Sequence, residues 1–205
     1  MTTTTNASNT TGATSTADAT GTAPATGAPR PDSDRLPEHT PRLNMAELAP
    51  DAYRAMIRLG AAAKKGVDPV VFELVQIRAS QLNHCAFCID MHTKDALAAG
   101  ETVERIVQLS AWEESKHFYT AREIAAIELT EAVTVLTDGF VPDEVYERAA
   151  RHFDDSELAH LIAAITLING WNRFAVTSRM VPGHYTPGST AHRPAAQPSE
   201  GGAAK

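Results

Sequence analysis

Cys85 and Cys88 are the only cysteines in the 205-residue chain, and His92 follows Cys88 by four positions. On an α-helix, positions i, i+3 and i+7 lie on one face. Thiols at that spacing are close enough to form a disulfide with modest strain, and the His92 imidazole can reach Cys88. Cys85 is expected in the first turn of its helix. Unpaired backbone N–H groups and the positive dipole end favour a thiolate there, below the free value of about 8.5. His92 can serve as base or proton shuttle. The chemistry these types and spacings suggest is thiol redox chemistry.

Glu73 is a second signal. It sits among Val70, Val71, Phe72, Leu74 and Val75, so it lies either at a surface edge or buried for a purpose. If buried, desolvation raises its pKa toward neutrality, which suits proton transfer. Two bland alternatives stand beside the redox reading. Cys85, Cys88 and His92, with His84 as a fourth ligand, have the makings of a zinc site. Structural zinc sites pair two ligand clusters distant in sequence, and there is no second cluster here, so neither metal nor cofactor is expected. Free cysteines also pack as inert core residues.

The elements that must position these residues read as helices. Strand and hairpin signals are scarce. Pro50 to Lys64 carries Tyr53, Met56, Ile57 and Leu59 near helical spacing, and Pro50 suits a first turn. Asp68-Pro69 reads as an N-cap followed by proline at the first helical position. That helix runs to about Asn83. The next begins near His84 or Cys85 and ends at Gly100, a plausible C′ residue. Thr102 to Ser110 is a short helix. Thr120 to Thr137 is a longer one, opened by the capping box Thr120-Ala-Arg-Glu123. Pro142 opens another to His152. Asp155 to Ser178 is the most apolar and suits a bundle centre or a subunit interface. Glu128 and Glu131 are expected to be solvated. The fold class is all-α, with six to eight helices in one domain spanning residues 43–182.

Residues 1–42 form a Thr/Ala-rich tail. The first 30 hold 11 Thr and no Leu, Ile, Val or Phe, too little apolar surface to offset ordering entropy. Residues 183–205 are similar, and both tails are expected to be disordered. A net charge of −7 argues against nucleic-acid and acidic-membrane partners. No stretch approaches the ~20 apolar residues of a membrane span, and the N-terminus lacks a basic start followed by an apolar stretch. The expected compartment is the cytoplasm. Two close cysteines in a reducing compartment fit redox chemistry better than a disulfide scaffold.

The pattern Glu73, six residues, Ser80, four residues, Cys85-Ala-Phe-Cys88, three residues, His92 resembles the signature of the carboxymuconolactone decarboxylase family in its AhpD-like alkylhydroperoxidase branch. Ile77-Arg78-Ala79-Ser80-Gln81 before the cysteines, Ile89-Asp90-Met91-His92 after them and Asn169-Gly170-Trp171-Asn172-Arg173 downstream agree with it. The resemblance covers about residues 45–181. It implies an all-helical AhpD-like bundle assembled as a homo-oligomer, a trimer or hexamer. It also implies reduction of hydroperoxides by a Cys85/Cys88 dithiol–disulfide cycle. Glu73 and His92 would be the proton relay, with Ser80 and His84 in support, and an external dithiol or disulfide-reducing partner protein would regenerate the pair. Where the best-known peroxidase branch carries a histidine directly before the second cysteine, this chain has Phe87. Dithiol–disulfide cycling is therefore the firmer part of the expectation and peroxide as oxidant the further inference.

Two other functions use the same residues: a thiol–disulfide adaptor without peroxide turnover, and an oligomeric binding protein whose cysteines sense oxidation. For the peroxidase, the helix dipole favours Cys85 as the attacking thiol. The relay favours Cys88, and greater weight goes to Cys88.

Overall fold

Local signals start the helices. In the computed structural model, which describes residues 35–188, Asp68 accepts from the backbone N–H groups of Val70 and Val71 at 2.9 and 3.2 Å. Pro69 then begins α3, Pro69–Leu82. Ahead of it, Asn44 caps α1, Met45–Leu48, and Pro50 opens α2, Pro50–Ala63. After it come α4, Ala86–Ala98, and α5, Val103–Gln108. The Thr120/Glu123 capping box starts α6, Ala121–Thr134. Pro142 is the N-cap of α7, Asp143–Ala150. A second capping box, Asp154 with Glu157, starts α8, Asp155–Ser178. Each box satisfies backbone donors that the first helical turn leaves open. The described residues contain these eight α-helices, three short 3₁₀ turns and no strand, so the chain is all-α. None of the described helices is long and apolar enough to cross a membrane.

The bundle is built around α3 and α8. Nine of the 14 residues of α3 are buried, Glu73, Gln76 and Ser80 among them, because α4, α6 and α8 all pack against it. A helix enclosed on several sides loses its amphipathic stripe. Val71, Phe72, Val75 and Ala79 face the larger core with Leu161, Ile165 and Ile168 of α8. Leu74 and Ile77 face a smaller core with Leu109, Trp112 and Ile127. Trp171 is buried in the larger core against Tyr53, ring centroids 4.9 Å apart.

Two findings depart from the sequence reading. α6 ends at Thr134 rather than Thr137: Val133-Thr134-Val135 is a β-branched run of low helix propensity. Leu136 beyond it is 51% exposed, so burial does not hold a further turn. Glu131 is not a solvated residue, since its Oε1 accepts from Arg78 Nε and Trp112 Nε1, both at 2.7 Å. Glu128 is paired with Arg148. Contacts also run from the helices to residues on either side of 43–182. The Arg42 N–H donates to the Ser178 carbonyl, and Gly183 N–H to Asp90. Lys94 reaches the carbonyls of Gly183 and Tyr185 at 3.1 Å. The tail expectations for 1–34 and 189–205 lie outside the described residues.

Candidate functional site

The joint between α3 and α4 sets the first cysteine. α3 ends in a Schellman motif: Cys85 N–H donates to the Ser80 carbonyl at 2.9 Å and His84 N–H to the Gln81 carbonyl at 3.1 Å. The motif requires a left-handed residue at C′, and His84 fills it with φ of 53°. Histidine is among the few non-glycine types enriched there. The chain thus turns in one residue, and Cys85, with φ −89° and ψ 91°, becomes the N-cap of α4 rather than a member of its first turn. Its sulfur accepts from the Cys88 N–H at 3.4 Å. The His84 side chain is exposed and contributes backbone geometry.

Both cysteines are free thiols, 1% and 2% exposed. Cys85 is held below the usual thiol range. The Cys88 thiol donating to its sulfur does most of this, against burial, and the backbone N–H groups of Cys88 and Phe87 and the Asn172 amide assist. Cys88 is pushed far above that range by its hydrogen bond to Cys85, by burial and by the Cys85 charge. Of the two thiols, Cys85 is therefore the one favoured as the anion. A helix N-terminus favours the anion at Cys85. These directions favour Cys85, where the sequence reading gives greater weight to Cys88.

Glu73 and His92 meet across α3 and α4. His92 Nδ1 lies 2.9 Å from Glu73 Oε2, and both residues are buried. A carboxylate on Nδ1 fixes the ring and leaves Nε2 for proton transfer. The other carboxylate oxygen faces Lys64 Nζ at 3.5 Å. Lys64 closes α2 and also lies over the Phe72 ring. Glu73 is therefore buried as a partnered carboxylate.

Ser80 stands behind the pair. Its hydroxyl donates to the Gln76 carbonyl at 2.7 Å and accepts from Asn172 Nδ2 at 3.0 Å. Tyr53 of α2 is pushed up to about 12 by burial and by the charge of Cys88. Five of the six expected site residues, Glu73, Ser80, Cys85, Cys88 and His92, are buried along the α3–α4 contact. His84 is not with them. Among the described residues no three His, Cys, Asp or Glu side chains converge as a metal-ligand set. Lys64, Tyr53 and Asn172 escaped the sequence reading. Asn172 alone had a signal, since it lies in the Asn169–Arg173 segment that carried the resemblance.

Residues 50–132 match the model of the carboxymuconolactone decarboxylase family. The chain is 42% identical to the uncharacterized protein YdfG of Bacillus subtilis over 136 residues, 66% of this chain and 92% of that protein. It is 42% identical over 52 residues to the alkyl hydroperoxide reductase AhpD of Rhodopseudomonas palustris, a match spanning 25% of this chain and 29% of the reductase. Among solved structures, ATU0492 of Agrobacterium tumefaciens superposes with a TM-score of 0.68 at 35% identity, over 70% of this chain and 99% of that one. It is described as a protein of unknown function and a candidate AhpD of antioxidant defence.

Proposed function

The chain belongs to the carboxymuconolactone decarboxylase family and has the AhpD-like fold, and from that premise we propose that it is a thiol-dependent peroxidase that reduces hydroperoxides through a Cys85/Cys88 dithiol–disulfide cycle. The observation that carries the reading is the pair itself: two buried free thiols three positions apart, one of them the N-cap of α4 and held below the usual thiol range. Decarboxylation, the reaction in the family's name, has no need of such a pair.

The Cys85 thiolate attacks the distal peroxide oxygen. The O–O bond breaks, and the departing alkoxide takes a proton from His92, held by Glu73, to leave as the alcohol. Cys85 is then a sulfenic acid. Cys88 gives up its proton toward His92 and attacks the Cys85 sulfur. The S–S bond forms and hydroxide leaves, protonated to water. One hydroperoxide and two thiols yield one alcohol, one water and one disulfide. An external dithiol small enough to reach the buried pair reopens the disulfide by exchange and becomes oxidised itself. We place the working protein in a homo-oligomer, a trimer or hexamer, in keeping with the family.

The near-complete burial of both sulfurs favours a small oxidant over a protein disulfide as the group that oxidises the pair. Assaying turnover of an alkyl hydroperoxide beside reduction of a protein disulfide, both with a small dithiol as electron source, tests the choice. The peroxidase reading expects saturable hydroperoxide turnover that is lost in Cys85→Ser and Cys88→Ser. Disulfide reduction with no hydroperoxide turnover would make the protein an adaptor.

A further inference from the structure

The identity of each atom in a buried amide is set by its partners, and here those partners form one continuous chain. Asn169 Nδ2 donates to the Ile165 carbonyl and to Thr134 Oγ1, both at 3.0 Å, while Arg173 donates to Asn169 Oδ1 at 3.1 Å. A carbonyl can only accept and a guanidinium can only donate, so Asn169 has a single orientation. Asn83 must then present Nδ2 to Asn169 Oδ1, at 2.9 Å. The same Nδ2 donates to Asn172 Oδ1, also at 2.9 Å. Asn172 is left with its NH₂ on Ser80, at 3.0 Å. The far end agrees independently: the Ser80 proton is given to the Gln76 carbonyl, so Ser80 Oγ must accept from Asn172.

We infer that Asn172 is a hydrogen-bond donor that holds the reactive thiolate of the Cys85/Cys88 pair, and that Asn83 and Asn169 are positioning residues that keep its NH₂, rather than its carbonyl, turned toward sulfur. Asn172 is 1% exposed, so no water competes for the amide. Rotated by half a turn, the same side chain would present oxygen to the anion and disfavour it. The amide assists both sulfurs by hydrogen bonding, and so serves whichever carries the charge. A donor fixed in advance stabilises charge without reorganising when it forms. The other titratable groups around the pair are Tyr53 of α2, through its coupling to Cys88, and Glu73 of α3 with His92 of α4, one turn beyond Cys88. Asn172 is the contribution of α8. The inference deepens the proposed redox role of the pair, but it concerns the thiolate and not the oxidant.

The test is the pH profile of single-turnover alkylation of the reduced full-length protein by iodoacetamide, a reaction that requires no peroxide. Asn172→Leu keeps the volume and removes the donor. Its alkylation midpoint should rise by about one pH unit, with the rate below the midpoint falling about tenfold. Asn83→Leu removes one of the two contacts that fix the Asn172 amide and leaves the one to Ser80, and should shift the midpoint the same way by less. Asn172→Asp should shift it furthest. A merely structural role would lower stability and leave the midpoint where it is. A folded Asn172→Leu protein whose midpoint matches wild type overturns the inference. Should that variant not fold, ¹H–¹⁵N spectra of the wild type decide. The Asn172 side-chain amide resonances should move with the thiol's titration, and resonances that stay fixed across it overturn the inference. Failure of hydroperoxide turnover with the midpoint shifts intact would reject the peroxidase reading alone.

Discussion

Replacing each cysteine by Ser and by Ala should give opposite stability orders at the two positions. Cys85 is the N-cap of α4, and its sulfur is the side-chain acceptor for the Cys88 N–H at 3.4 Å. Sulfur accepts weakly, whereas serine is among the preferred N-caps. Cys85→Ser therefore keeps or improves the cap, and Cys85→Ala removes it. The loss of a capping side chain costs about 1 kcal/mol, so Cys85→Ala should unfold more readily than Cys85→Ser by about that much. For a domain of this size that is about 2–4 °C in Tm. Cys88 lies inside the first turn of α4, 2% exposed. A serine hydroxyl there is buried at a cost, and alanine is the better helix former, so Cys88→Ala should exceed Cys88→Ser by about 1 kcal/mol. Urea unfolding of the four variants under reducing conditions, with m-values unchanged from wild type, reads the difference. A Cys85→Ala variant at least as stable as Cys85→Ser would mean that Cys85 is not a cap, and that the helix N-terminus does not favour its thiolate.

Three further outcomes are expected. Glu123 is buried, which alone would raise its pKa, but Arg105 and the Thr120 backbone N–H outweigh that and hold it below the usual carboxylate range. Its stabilisation is thus present above about pH 4 and lost as acid carries the pH through the lowered value. Urea midpoints of Glu123→Gln and wild type should differ at pH 7 and converge in acid, and a gap unchanged with pH would contradict this. Glu131→Ala removes the shared acceptor of Arg78 and Trp112 and should cost about 1–3 kcal/mol, measured by the same unfolding; a loss no larger than that of a solvated glutamate would contradict the pairing. His84→Gly keeps the left-handed turn without its strain and should leave stability within about 1 kcal/mol and thiol alkylation unchanged. A slowed alkylation would return the His84 side chain to the site.

What the sequence revealed were the features that neighbours in the chain decide. Asp68-Pro69, the Thr120/Glu123 box and Gly100 after α4 are local arrangements, and each does what its residue types suggest. The Glu73–His92 pair was legible because the spacing of a known signature carried it. Cys85 was misplaced by one step, from first turn to N-cap, because the boundary depends on His84 taking a left-handed conformation that few sequences announce. Lys64, Tyr53 and Asn172 were hidden for another reason. They reach the site from α2 and α8, and only the packing of those helices on α3 and α4 brings them there. Glu131 looked solvated because its partners, Arg78 and Trp112, are 53 and 19 positions away.

The proposed peroxidase cycle requires that a hydroperoxide oxidise the Cys85/Cys88 dithiol directly. The most direct measurement is a single turnover on the reduced full-length protein. One equivalent of an alkyl hydroperoxide is added without external thiol, with free thiols and alcohol counted together and intact mass recorded. Loss of both thiols is expected, with a mass lower by two hydrogens, one alcohol per chain, and a sulfenic acid trapped on Cys85 in the Cys88→Ser variant. Thiols that persist while the hydroperoxide remains unconsumed would contradict it.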